Sequence, residues 1–213
     1  MIPLPFELEN YAEEFTSFLP PVLDEIERQT FLKTTYPQML SGRIQAGLLH
    51  FLIRLTRAEH VLEIGTFTAY SSIAMASALT KGGKIITLEI DEKNTLLAKE
   101  FIKKSGFERQ IELIQKNAIE YLSGLSEKFD FIFLDADKEN YPEYYRLIKP
   151  LLKENTLWVA DNVWWSGKVL NPRDEASQAI AEFNRLVKND KDLVGYFLPL
   201  RDGLMLIQKN KSI

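Results

Sequence analysis

The 213-residue chain has no cysteine and only two histidines, His50 and His60. That excludes a disulfide scaffold, a thiolate zinc site, a cysteine nucleophile and a histidine-rich metal centre. Any metal must therefore be held mainly by oxygen. A basic tract is missing too: 26 Lys and Arg stand against 30 Asp and Glu, for a net charge of −4. Surfaces that bind nucleic acid usually show a basic face, so the balance argues against one. No apolar run is long enough to span a membrane, and the start MIPLPFELEN is acidic, not basic and then apolar as in a secretion signal. The expectation is a cytoplasmic enzyme. With 46% hydrophobic residues, the chain can bury one substantial core.

Residues 1–213 are expected to form a single domain, with residues 1–38 as an N-terminal helical appendage. Residues 1–30 carry seven acidic side chains against one basic, Arg28. Pro3 and Pro5 precede a helical pattern of Phe6, Tyr11, Phe15 and Phe18. Pro20-Pro21 breaks it, and Val22, Ile26, Phe31 and Leu32 suggest a second helix ending by Tyr36-Pro37. From residue 42, helical and β-branched segments alternate, the mark of βαβ units and a mostly parallel sheet. Strands are expected at 60–64, 84–90, 110–114, 129–134 and 156–160, with helices at 42–57, 70–79, 92–105, 118–125, 142–152 and 173–189. A hairpin at 194–199 and 203–209 adds one antiparallel strand to this α/β, Rossmann-like sheet. Ligands of such sheets bind beyond the carboxyl ends of the strands.

The first strand runs into Glu63-Ile64-Gly65-Thr66-Phe67-Thr68-Ala69-Tyr70-Ser71, where Ser71 and Ser72 are available to cap the next helix. A dinucleotide fingerprint needs G-x-G-x-x-G, and here its second and third positions are Phe67 and Tyr70. A nucleoside ligand without phosphates suits the turn better. S-adenosylmethionine is the common one, and its cationic groups match carboxylates such as Glu63. The plainer alternative is that Gly65 merely makes a turn. Glu89 ends the second strand 24 residues after Gly65, where a carboxylate can accept ribose hydroxyls. Asn117-Ala118 follows the third strand, at the place of an adenine ring.

The fourth strand ends in Asp135-Ala136-Asp137-Lys138 and the fifth in Asp161-Asn162. Carboxylates brought together at a sheet edge need a proton or a cation between them. Asp135, Asp161 and the Asn162 amide oxygen would make a hard oxygen site for Mg²⁺, with Mn²⁺ or Ca²⁺ as alternatives. Helix capping is the plainer reading of either segment alone. Lys138, in the same loop, becomes a base if a neighbouring cation and desolvation lower its pKa. His50 and His60 receive no catalytic role. Trp164-Trp165 and Tyr36 suit either an aromatic lip over an acceptor or a contact between subunits.

The segments VLEIGTFTAYSS (61–72), ITLEID (86–91), FLDADKENY (133–141) and VADNVWWSGKV (159–169) resemble the cation-dependent O-methyltransferases typified by the catechol and caffeoyl-CoA enzymes, over about Met39 to Gln208. The resemblance implies a seven-stranded methyltransferase sheet and a homodimer. It implies that Met39, Glu63, Gly65, Ser71, Glu89, Ala118 and Asp135 bind S-adenosyl-L-methionine, that Asp135, Asp161 and Asn162 hold a divalent cation, and that Lys138, with Asp135, is catalytic. Two features depart from the family: Ala69 replaces the second glycine of a G-x-x-x-G turn, and only Tyr196 to Arg201 stand where animal catechol enzymes carry a late acidic residue. The expected reaction is methylation of one hydroxyl of a small vicinal diphenol of catechol, caffeoyl or flavonoid type. Its rivals are a methyltransferase acting on 5-hydroxyuridine in transfer RNA and a silent S-adenosylmethionine-binding protein.

Overall fold

The computed structural model describes residues 6–16 and 19–210; the sequence readings on Pro3, Pro5 and Phe18 lie outside the described residues. Two helices, α1 (Phe6–Phe15) and α2 (Val22–Lys33), precede a short 3₁₀ turn at Pro37–Met39 and helix α3 (Gly42–Thr56). Then come β1 (His60–Ile64), α4 (Tyr70–Ala76), β2 (Lys84–Glu89), α5 (Glu92–Ser105), β3 (Ile111–Gln115), α6 (Ala118–Ser123) and β4 (Phe129–Leu134). The chain continues through α7 (Tyr141–Ile148), β5 (Leu152–Ala160), α8 (Glu175–Asn189), β6 (Leu193–Leu198) and β7 (Leu204–Lys209). The strands form one seven-stranded sheet in the order β3-β2-β1-β4-β5-β7-β6. All neighbours are parallel except β7, which runs antiparallel to both β5 and β6.

Strand period explains the two-sided core. On β4, Phe131 and Phe133 point to one face and Ile132 and Leu134 to the other, and all four are wholly buried. The first pair joins a cluster with Leu49 and Ile53 of α3, Ile73 of α4 and Phe101 of α5. The second joins Tyr144 and Ile148 of α7 and Phe183 of α8. Helix α2 belongs to the first cluster through Leu23 and Ile26, while α1 leaves Leu8, Tyr11 and Phe15 exposed. Within the expected N-terminal appendage, α2 is therefore part of the core and α1 lies at the periphery.

Capping side chains set several helix ends. Asp91 accepts from the Asn94 amide at the start of α5, Asn117 does the same for Glu120 at α6, and Asp174 with Ser177 closes a capping box at α8. The fifth strand begins four residues earlier than the sequence suggests, at Leu152 in place of residue 156. Pro150 ends the regular helix in a 3₁₀ turn, and Thr156 bridges the resulting irregularity by accepting from Lys153 N (2.6 Å) and donating to Phe129 O (2.5 Å).

The order of strands reverses between β1 and β4, and their carboxyl ends are locked together. The Asp135 amide donates to Ile64 O at 2.9 Å. A Cβ on Gly65, at φ +102°, would stand 1.9 Å from the Asp135 carbonyl oxygen, so only glycine fits the turn.

Candidate active site

A cavity of about 730 Å³ opens over this switch point, beyond the ends of β1, β2, β4 and β5. Of the residues expected to serve a ligand, Met39, Gly65, Ser71, Glu89, Ala118, Asp135, Lys138, Asp161 and Asn162 line it. Glu63 does not. Its wholly buried carboxylate accepts from Ser71 Oγ (2.5 Å), Thr87 Oγ1 (2.6 Å) and Ser72 Oγ. Thr87 spends its one proton on Glu63, so Thr66, 2.6 Å away, is the donor to Thr87. Ser71 and Ser72 thus clamp Glu63 and do not cap α4, whose N-cap is Ala69 at φ +63° with no side-chain bond. Burial pushes the Glu63 carboxyl up to about 7, against the pull of the three hydroxyls.

Glu89 is tied to backbone. Its carboxylate accepts from Phe67 N (2.7 Å), Ile90 N (3.0 Å) and Asp91 N (2.9 Å). Burial raises its pKa and these amides oppose the rise. Three of about four acceptor positions are filled, which leaves one for a ligand where the sequence suggested two. Past the end of the neighbouring strand β3, Asn117 spends its side chain on capping α6, so Ala118 supplies the small apolar wall.

The ends of β4 and β5 are arranged differently. Asp161, 4% exposed, accepts from its neighbour Asn162 N (2.7 Å) and from Gln45 Nε2 (2.6 Å) of α3. Asn162 adopts φ +56°, a left-handed conformation that asparagine tolerates, and its amide nitrogen donates to Asp202 (3.5 Å). Lys138 Nζ donates to Asp135 Oδ1 (2.7 Å) and to Tyr141 OH (3.1 Å), and Tyr141 donates to Asp161 O (2.8 Å). Burial and the nearby Asp135 together push the Asp161 carboxyl well above its ordinary value.

Without a cation, the surroundings of Lys138 favour its ammonium form. Burial alone would lower the Lys138 pKa, but Asp135, Tyr141 and Asp161 outweigh it and hold the ammonium above its ordinary range. Only Trp165 of the expected aromatic lip lines the cavity. Trp164 stacks on Phe197 with ring centres 5.4 Å apart, and Tyr36 is 60% exposed outside the lining. His50 pairs with Ser77 (2.9 Å) and His60 with Glu127 (3.4 Å), neither lining the cavity. Gln45, Tyr141, Tyr144 and Arg201 were not singled out as site residues from the sequence. The spacing of Gln45, Leu49 and Leu52 on one helical face was the available signal for the first of them.

A sheet with its one antiparallel strand beside the edge, and a carboxylate-lined cavity at the switch point, define a Rossmann-like methyltransferase fold. A family model described as O-methyltransferase matches residues 13–210. The chain belongs to that O-methyltransferase family, and it is an enzyme of that transferase class. It is 41% identical over 149 residues to a catechol O-methyltransferase of Niastella koreensis, covering 67% of each chain. It is 31% identical to caffeoyl-CoA O-methyltransferase 2 of Populus trichocarpa, over 90% of this chain and 83% of that one. The crystal structure of an SAH-bound methyltransferase from Podospora anserina superposes with a TM-score of 0.91 at 27% identity, covering 99% of both chains.

Proposed function

We propose that this enzyme transfers the methyl group of S-adenosyl-L-methionine to one hydroxyl of a small vicinal diphenol, with a divalent cation held by Asp135, Asp161 and Asn162. The observation that carries the reading is the meeting of two buried-side carboxylates, an asparagine amide and one lysine in a single cavity. The donors fit a hard cation: all would be oxygens, and Asp135 adds to burial in raising the Asp161 pKa while Lys138 opposes the rise only in part. Mg²⁺ is the expected ion. When bound, a divalent cation supplies Lewis acidity that makes a phenol acidic near neutral pH and offsets the charge that keeps Lys138 protonated.

The remaining work falls to the chain's own side chains. Glu89 has one acceptor position left for a ribose hydroxyl, and Ala118 leaves room for a flat base beside it. Gly65 lets the turn approach β4 closely, which brings the cofactor side and the acceptor side together. Asp135 orients Lys138 at 2.7 Å, and Lys138 Nζ is the group that holds or accepts a proton there. Met39 and Trp165 wall the cavity and limit access of water. Glu63 acts one step back, by fixing Ser71 and the strand that carries Gly65.

The test is a methyl-transfer assay over catechol, caffeate, caffeoyl-CoA, a flavonoid and total transfer RNA, each with and without Mg²⁺. The reading expects Mg²⁺-dependent methylation of a diphenol. Activity on transfer RNA alone would support the 5-hydroxyuridine rival, and no transfer to any acceptor would support the silent one. A homodimer and a cytoplasmic location complete the reading. Packed helices α1 and α3 leave Leu8, Tyr11, Phe15, Phe51 and Leu55 exposed, which suits a subunit contact, and light scattering gives the oligomeric state. Among the described residues no helix is long and apolar enough to cross a membrane.

A further inference from the structure

Gln45 is wholly buried on α3, 116 residues away in sequence from the aspartate it touches. Its Nε2 donates to Asp161 Oδ2 at 2.6 Å, while its Oε1 is buried without a hydrogen-bond partner among the described residues. Gln45 itself is absent from the cavity lining, so it grips the carboxylate from the core side. An orphaned amide oxygen in a packed interior is a standing cost, because the acceptor has lost water and gained nothing. Methionine or leucine would fill the same volume without that cost. A lysine or arginine would satisfy Asp161, but its charge would compete with a cation for the same carboxylate. A neutral donor on a three-carbon reach fixes the carboxylate and leaves its charge available.

The effect extends to the next residue. Asp161 Oδ1 accepts from the Asn162 amide at 2.7 Å, so each carboxylate oxygen holds one donor and keeps one acceptor position open. That bond is to the backbone N–H of Asn162, the residue that stands at φ +56°. Holding Asp161 therefore holds the asparagine as well.

We propose that Gln45 is a positioning residue for the cation site, fixing Asp161, and through it the Asn162 turn, from behind the cavity. The inference rests on the cation reading given above. Partners that orient a metal ligand typically contribute about 10–100-fold to metal affinity.

The experiment is an Mn²⁺ titration, followed by electron paramagnetic resonance, of the full native chain and of Gln45→Met and Gln45→Asn, with S-adenosylmethionine affinity and thermal unfolding measured on each. Gln45→Met should bind Mn²⁺ about 10–100-fold more weakly with unchanged cofactor affinity and a cooperative thermal transition that shows it folded. Its kcat should recover at saturating Mn²⁺. Gln45→Asn, which keeps the amide but falls one methylene short, should lose affinity too. Undiminished Mn²⁺ affinity in folded Gln45→Met would overturn the proposal and leave the cation reading intact. A native chain that binds no Mn²⁺ would overturn both, and failure of both variants to fold would assign Gln45 to the fold instead.

Discussion

The carboxylates near the ends of β1 and β2 and those just past the ends of β4 and β5 live under different conditions: Glu89, Asp135 and Asp161 line the cavity, and Glu63 is buried behind it. Glu63 and Glu89 are supplied by the protein itself, with three hydroxyls on one and three backbone amides on the other. Among the described residues the Asp135 carboxylate accepts from Lys138 alone, and each oxygen of Asp161 receives one neutral donor. A satisfied carboxylate shapes the turn around it, and an undersupplied one waits for a ligand. Sequence shows four acids at or just past the ends of four strands, and the donors around each separate the two pairs; in the proposed reading the less supplied pair takes the cation.

Four substitutions probe that contrast. Asp161→Ala removes a proposed cation ligand and should cut turnover by about 10³-fold or more, since metal catalysis is worth several kcal/mol. Calorimetry should show cofactor affinity nearly unchanged, and loss of both would make Asp161 a structural residue. Lys138→Met should lower kcat by roughly 10²–10⁴-fold, the usual size of a general acid–base contribution, while Mn²⁺ still binds. Replacing Glu89 by Gln leaves an amide whose nitrogen faces backbone donors; cofactor affinity should fall by about 10-fold or more, with saturated turnover much less affected.

Glu63→Gln should be the mildest and should act on stability. The Glu63 carboxyl is raised in the fold from 4.5 to about 7, so the folded state binds its proton more tightly than the unfolded one. Its contribution is complete below about pH 4.5 and is lost as pH climbs to about 7, a swing on the order of 3 kcal/mol. Thermal unfolding of the native chain should accordingly weaken from pH 5 to pH 8 more than that of Glu63→Gln. Equal slopes would show that Glu63 does not titrate in this window.

The strands were legible where composition and position agreed. HVLEI and FDFIFL fall on β1 and β4 residue for residue, because they are short β-branched or aromatic runs bounded by polar residues. The end of α7 was not, since Pro150 lies inside an otherwise helical pattern and the 3₁₀ turn that absorbs it depends on packing. In the site, Gly65 and the acids were readable from their places after strands. The partners were not: Ser71 and Ser72 look like helix caps until Glu63 turns out to be buried beneath them, and the helical spacing that puts Gln45 on a buried face does not say which carboxylate it meets. The charge balance at Lys138 was not readable either, because it depends on how many carboxylates reach the ammonium, which is a distance and not a spacing.

The difference between the two pairs of carboxylates is tested most directly by methyl transfer to catechol in excess EDTA and after Mg²⁺ is restored. The account predicts that activity disappears in EDTA and returns with Mg²⁺, while S-adenosylmethionine binds equally in both. Full activity in EDTA would contradict it.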